Sequence, residues 1–467
     1  MSTVIRAASP AAPKAAPQAG AVSARTKRLL EAPVAPTLLA LAAPNVLVMA
    51  LQAVVGTLDA VFVGWLGTSA LAGVSIVYPL VMLMQTMSAG GMGGGVSSAV
   101  ARALGAGRRR EAEVLAAHSV LIALGMAALF TSGLLLGGPA LYRAMGGTGP
   151  ALEAALTYSR IIFGGAVVVW LLNTLSSIVR GTGTMVLPAA VMTASAVIYL
   201  ALAPALVLGW GPFPRLGVAG TATANLVSFG LSSLVLAGYL ASPWSAVRLS
   251  FRGLALRQAH FWEILRVGAP GSLNTVLTNL TIVLMTGLVG PFGTRALAGY
   301  GMGARLEYLQ IPLVFGMGSA LVAMVGTNVG AGQIVRAERV AWTGAGVAAG
   351  ISGVIGLFAA AFPRLWLGLF TADAEAQAAG TVYLHIVGPF YGFFGLGLAL
   401  YFASQGAGRL GWPLAAGFMR LIVAAAGGWL AGYGLGGGLP AIFAAMAAAL
   451  VIFGVTIAVA VKRGAWR

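Results

Sequence analysis

Seventy consecutive residues, Ala32 to Ala101, carry one formal charge, the carboxylate of Asp59. A soluble domain cannot present a surface like that; a membrane protein can, at about 20 apolar residues per helical crossing. The whole chain agrees: 59% of its 467 residues are hydrophobic and 8% charged, where a soluble domain has about 25% charged residues. Because lipid offers the backbone no hydrogen-bond partners, such spans must be helices. The fold class is therefore all-α integral membrane. An acid inside a span costs roughly 2.5–3.5 kcal/mol even on lenient insertion scales, and its default reading is functional. Asp59, in GTLDAVFVG (Gly56 to Gly64), is read as a proton or cation carrier, or as an anchor for a cationic ligand.

Composition excludes several other classes. With no cysteine, disulfides and thiolate metal sites are absent. Three histidines and ten acids leave little for a metal centre, and no paired acids, histidine cluster or nucleophile–base arrangement marks an enzyme. The net charge of +17 is dispersed among loops, which points to topology-setting charge rather than to nucleic acid. Residues 1–33, rich in Ala and Pro, read as a disordered cytosolic tail.

Hydropathy with Gly, Pro and Arg punctuation predicts twelve spans, near 34–65, 69–98, 112–137, 151–177, 186–210, 215–241, 262–289, 296–325, 337–362, 377–403, 411–433 and 437–462. With the N-terminus inside, the inner segments hold twenty Lys/Arg and the outer loops four, Arg143, Arg215, Arg295 and Arg364. The positive-inside rule thus places both termini in the cytoplasm. The halves repeat. VGWLGTSALAG (Val63 to Gly73) returns as VGPFGTRALAG (Val289 to Gly299), ALGAG (Ala103 to Gly107) as NVGAG (Asn328 to Gly332), and RGTGTMVLP (Arg180 to Pro188) as QGAGRLGWP (Gln405 to Pro413). Pro44 matches Pro270, and every offset is 225 or 226. Six spans per repeat give both halves the same orientation, so the expected architecture is two six-helix lobes related by a pseudo-twofold axis along the membrane normal. The division is an N-lobe at 34–241, a cytoplasmic linker at 242–261, a C-lobe at 262–462 and a cytosolic tail at 463–467.

LDAVFVGWLG ending span 1, ALGAG after span 2, VRGTG after span 4 and VGTNVGAG after span 8, set in two six-span halves, resemble the multidrug and toxic compound extrusion family. The similarity runs from about Ala35 to Val461. It implies a secondary antiporter, not an enzyme, that expels cationic or amphipathic, often aromatic, compounds in exchange for protons or sodium ions. It also implies a monomer in the bacterial inner membrane, surrounded by lipid, with no cofactor. The pattern is closest to the DNA-damage-inducible branch, although Tyr199 and Ala203 stand before Pro204 where that branch often has Asn and Asp. The sodium-coupled branch tends to have a Glu in span 7, where this sequence has Thr278. One deep carboxylate in the N-lobe is poor equipment for caging sodium, which favours protons. An exporter of one natural product and a lipid-linked precursor flippase of the wider superfamily are the alternatives.

Asp59 lies where this family has its span 1 acid. Removing a carboxylate from water favours its protonated form, the property a proton carrier needs. Pro44, fifteen residues earlier on the same helix, is expected to kink span 1. Glu307 in span 8 is the other deep acid, a second coupling site or a structural partner of Arg160 or Arg420. His385 in span 10 is a further protonatable candidate. Asn173, Tyr199 and Asn225 are the polar groups expected beside Asp59, with Thr278 a cavity candidate in the other lobe. At the repeat offset the counterpart of Asp59 is Met285, so the acid belongs to one lobe only.

Overall fold

The structure is a computed structural model that describes residues 24–466. Eleven of its helices are long and apolar enough to cross a membrane among the described residues, and one bent pair supplies a twelfth crossing. Spans 1–6 are Val34–Gly64, Thr68–Gly105, Arg109–Ala144, the pair Gly149–Gly164 and Ala166–Gly181, Val186–Leu208 and Val218–Ala241. Spans 7–12 are Gln258–Phe292, Thr294–Gly330, Ile334–Ala361, Ala374–Ala407, Gly411–Gly434 and Gly438–Lys462. The two segments of span 4 meet at 47°, with Gly165 between them. Pro44 sits inside one continuous helix. Span 2 widens into a π-helical turn at Met87–Met92, the kind of local unwinding that recurs at functional positions.

Sequence repetition becomes geometry where helices touch. A Cβ on Gly73 would lie 2.5 Å from the Ala151 carbonyl oxygen, and one on Gly299 would lie 2.4 Å from that of Ala376. Both glycines and both carbonyls are one repeat apart, so each lobe packs its second span against its fourth by the same contact. Between the lobes the pairing is reciprocal. A Cβ on Gly105 would meet Thr327 O at 2.0 Å, and one on Gly330 would meet Arg102 O at 2.1 Å. Spans 2 and 8 thus cross at their ends with only hydrogen atoms between their backbones, and the pseudo-twofold axis passes through that crossing. Each lobe has its own apolar core. Trp170, Phe163 and Leu115 lie in the N-lobe core, while Tyr383, Phe443 and Tyr391 lie in the C-lobe.

The start of span 1 and the ends of spans 2, 4, 8, 10 and 12 share one face, here the terminal face. Among the described residues, every side-chain hydrogen bond between the lobes lies in that half of the molecule. Asn45 Nδ2 donates to Ser319 Oγ at 2.8 Å, and Ser98 Oγ to the Gln405 carbonyl at 2.5 Å. Arg102 of span 2 donates to Ser98 Oγ and at 2.9 Å to Glu263 of span 7. Glu263 also receives Arg266 at 2.6 Å.

One expectation for the N-terminal tail is corrected here. Ala24–Glu31 is a helix rather than part of a disordered tail, with Leu29 buried. It is held because it touches both lobes. Arg25 donates to Thr184 Oγ1 at 2.6 Å, Asn328 Nδ2 to the Leu29 carbonyl at 3.2 Å, and Arg336 to the Ala32 carbonyl at 2.5 Å. Residues 1–23 of the expected tail lie outside the described residues. In the C-terminal tail Trp466 is buried and its indole N–H donates to Ser404 Oγ at 3.3 Å. On the opposite face Asp373 caps span 10, accepting from the backbone N–H groups of Ala376 and Glu375 at 3.1 and 2.9 Å. Those bonds, reinforced by Arg295, hold its carboxyl below the usual range.

Candidate functional site

Asp59 lies near the far end of span 1, in the half of the molecule away from the terminal face. Span 1 has apolar residues all round, so packing against spans 5 and 6 sets its rotation. Phe62 inserts with Tyr199, Ala203, Leu206 and Ala224 into one small apolar cluster, and this turns Asp59 toward span 5. There the Tyr199 hydroxyl donates to Asp59 Oδ1. Two further phenols, Tyr78 of span 2 and Tyr158 of span 4, lie within electrostatic reach of the carboxylate. Tyr78 packs over Gly56, whose added Cβ would sit 3.9 Å from its hydroxyl oxygen. Asp59 is half-buried, Tyr199 and Tyr158 are buried and Tyr78 is exposed. The result is one carboxylate with three tyrosines around it, each from a different span.

Of the three neighbours expected for Asp59, only Tyr199 touches it. Asn173 donates instead to Ser88 Oγ at 2.8 Å and Gln85 Oε1 at 3.3 Å, tying span 4 to span 2. Asn225 has a buried side-chain oxygen with no partner. Thr278 spends its hydroxyl on the Asn274 carbonyl of its own helix at 2.9 Å. Tyr158 was not singled out from the sequence, yet a signal was present. One repeat later stands Tyr383, also buried and within reach of that lobe's acid, Glu307.

The C-lobe carries a small cavity of about 40 Å³, room for a few water molecules. Glu307 and Arg420 line it together with Tyr300 and Met285. Met285 is the repeat counterpart of Asp59, so equivalent positions in the two lobes carry different chemistry. Arg420, not Arg160, is the cation that shares the interior with Glu307, and no ion pair of 4.0 Å or less joins the two among the described residues. Arg420 stacks over Phe453 at 5.2 Å, a cation–π contact. Arg160 is exposed on span 4, and Arg305 leans over Phe370 at 5.3 Å. His385 is exposed on the surface of span 10, outside this cavity.

The family profile MatE matches residues 44–205 and again 270–430, the same two halves that the contacts relate. A FAD transporter of Shewanella oneidensis is 30% identical over 67% of this chain and 69% of its own length. The multidrug export protein MepA of Staphylococcus saprophyticus is 24% identical over 60% of this chain and 61% of its own. Among solved structures, an outward-facing conformation of a multidrug resistance MATE family transporter superposes with a TM-score of 0.85. Its identity is 24%, covering 95% of this chain and 98% of that one. A MATE crystal structure in the bent conformation gives 0.87 at 23% identity, with the same coverage. Two halves of six spans, matched twice by one profile, place the chain in the MatE family of multidrug and toxic compound extrusion transporters.

Proposed function

We propose that the chain is a proton-coupled antiporter that exports cationic, aromatic compounds across a bacterial cytoplasmic membrane, working as a monomer with both termini inside. The contact between Asp59 and Tyr199 carries this reading. A phenol that donates to a carboxylate bridges span 1 to span 5 most strongly while the acid is ionised. Protonation weakens that bond and makes Asp59 a donor as well, so the joint between the two spans changes with its charge. A bound cation and a bound proton compete for the same negative charge, and that competition is the substance of antiport. The faces of Tyr78 and Tyr158 offer cation–π surfaces to an aromatic cation.

Protons fit better than sodium. A sodium ion needs several oxygen lone pairs, and Tyr199 already occupies one on the lone carboxylate, whereas a proton needs a single oxygen. One proton per monovalent cation is electroneutral and stores about 1.4 kcal/mol, tenfold accumulation, per pH unit. The lobes are bonded on the terminal face, which the positive-inside rule makes cytoplasmic, so this is the outward-facing member of an alternating-access pair. The name of the Shewanella relative favours a flavin dinucleotide as substrate. Its two phosphates call for cations that the Asp59 site lacks, and the cationic reading is preferred for that site.

Ethidium uptake into proteoliposomes with an imposed pH gradient tests the proposal. The wild type should accumulate ethidium in proportion to the gradient and independently of sodium, and Asp59→Asn should abolish the response. Full gradient-driven uptake by Asp59→Asn would refute the mechanism.

A further inference from the structure

Arg305 stands eleven residues inside span 8, about 16 Å from the outer start of that helix. It is exposed, and among the described residues its guanidinium has no acid and no hydrogen-bond acceptor, only the ring of Phe370 at 5.3 Å. A bare cation at that depth needs water around it or an anion that comes to it. It lines a groove of about 590 Å³ that runs along the outer half of span 8, past Thr294, Ala298 and Gly301.

The neighbour on this side of span 8 is span 1, which runs in the opposite direction. In their inner halves the two helices touch: Asn45 Nδ2 donates to Ser319 Oγ at 2.8 Å, and a Cβ on Gly316 would lie 2.8 Å from the Val46 nitrogen. Outward of that joint each follows its own lobe. Span 1 gives Phe62 to the cluster around Tyr199, while Gly303 of span 8 packs on Tyr383 of span 10 with no room for a Cβ. Asp59 is fourteen residues beyond Asn45, and Arg305 is fourteen residues before Ser319. Both therefore sit about 21 Å outward of the joint, and fourteen residues are nearly four turns, which returns each to almost the face of its joint residue. Acid and guanidinium are level, on two helices that part between the lobes, and no ion pair of 4.0 Å or less joins them here. On the other flank, where span 7 runs beside span 2, the repeat puts Met285 and Pro79 at these places. The two charges belong to one flank and are no part of the scaffold.

We propose that Arg305 is the counter-charge that Asp59 meets when the outer face closes. The inference rests on the antiport reading above and adds to it a device against slippage. Closure brings the outer halves of spans 1 and 8 together as their inner halves are now, and the guanidinium takes the carboxylate in a charge-assisted pair. An empty, ionised Asp59 is then held by the other lobe, and reopening must break that pair. A cationic substrate entering from inside competes for the same carboxylate and releases Arg305, while a proton taken up outside is displaced when the guanidinium arrives. The empty carrier stays closed to the outside, which is the condition for exchange without leak.

A double-mutant cycle tests the pair. Spin labels across the outer face, read as distance distributions in nanodiscs at alkaline pH with neither gradient nor drug, give the ratio of closed to open molecules. Arg305→Gln should lower that ratio roughly tenfold or more, the scale of one close charge pair across an interface, and Arg305→Lys should keep most of it. In an Asp59→Asn background Arg305→Gln should change nothing. The register has its own check in Val55→Cys with Leu309→Cys, one turn inward of the acid and of the guanidinium in a chain with no native cysteine. A short bifunctional thiol reagent should join the two, and severalfold more slowly once Arg305→Gln is added. Ethidium binding reports that each variant is folded. Neither readout uses transport, so both stand apart from proton coupling, which ethidium uptake by Asp59→Asn decides. Three results would overturn the proposal: an unchanged ratio in Arg305→Gln, an equal fall with and without the Asp59 charge, or no cross-link between the two cysteines.

Discussion

Asp59 is legible in the sequence because charge in an apolar span is conspicuous by itself, whereas its partner is a matter of rotation. Spans that are apolar all round carry no stripe to say which way they face, so Tyr199, Asn173 and Asn225 are equal candidates until the helices are packed. Packing chooses Tyr199 and sends Asn173 to Ser88 and Gln85. Arg180 shows the converse: in sequence it is one more positive charge at a loop, and only the fold reveals that it is buried without a counter-charge. The Tyr199 bond has a direct test. Tyr199→Phe removes one hydrogen bond and leaves the ring in its apolar cluster, so the protein should fold normally. A hydrogen bond to a charged group is worth about 1.5–3 kcal/mol. Losing that bond should therefore move the pH profile of ethidium uptake away from that of the wild type, and an unchanged profile would mean that the bond does not bear on coupling.

At the scale of elements, the span boundaries were readable from hydropathy because lipid demands length and apolarity together. The bend in span 4 and the π-helical turn in span 2 were not, since each depends on neighbouring helices. The leading helix was misread for a related reason: eight residues with two leucines look like tail until the groove they fill exists. Since Ala24–Glu31 touches both lobes, it staples the terminal face shut. Leu29→Asp should weaken the staple. Cysteines introduced near Arg102 and Thr327 should then be labelled severalfold faster than in the parent, a clean measurement in a chain with no native cysteine. The crossing of spans 2 and 8 is less forgiving. Gly330→Ala drives a methyl group into the Arg102 carbonyl, an overpacking that costs about 1–3 kcal/mol and should appear as a lower unfolding temperature, while Gly346→Ala, with open space around it, should have little effect.

The two-lobe plan was visible in the whole sequence because evolution left the 225-residue repeat in the glycine-rich joints, where close backbone approach forbids larger residues. The halves differ in chemistry where the repeat fails: Asp59 against Met285, Glu307 against Met82, Arg180 against Gln405. A symmetric scaffold supplies two equivalent lobes, and its asymmetric side chains put a lone carboxylate beside Tyr199 in one lobe and an acid with a cation in the other. If the proton on Asp59 sets the position of the lobes, their separation must follow its titration. Spin labels placed in pairs across the terminal face and across the opposite face, read as distance distributions over a pH series in lipid nanodiscs, measure that separation. The wild type should exchange populations between the two faces as pH falls, one distance shortening as the other lengthens, and Asp59→Asn should give one pH-independent distribution at both. Identical pH-dependent distances in wild type and Asp59→Asn would contradict the mechanism at its root.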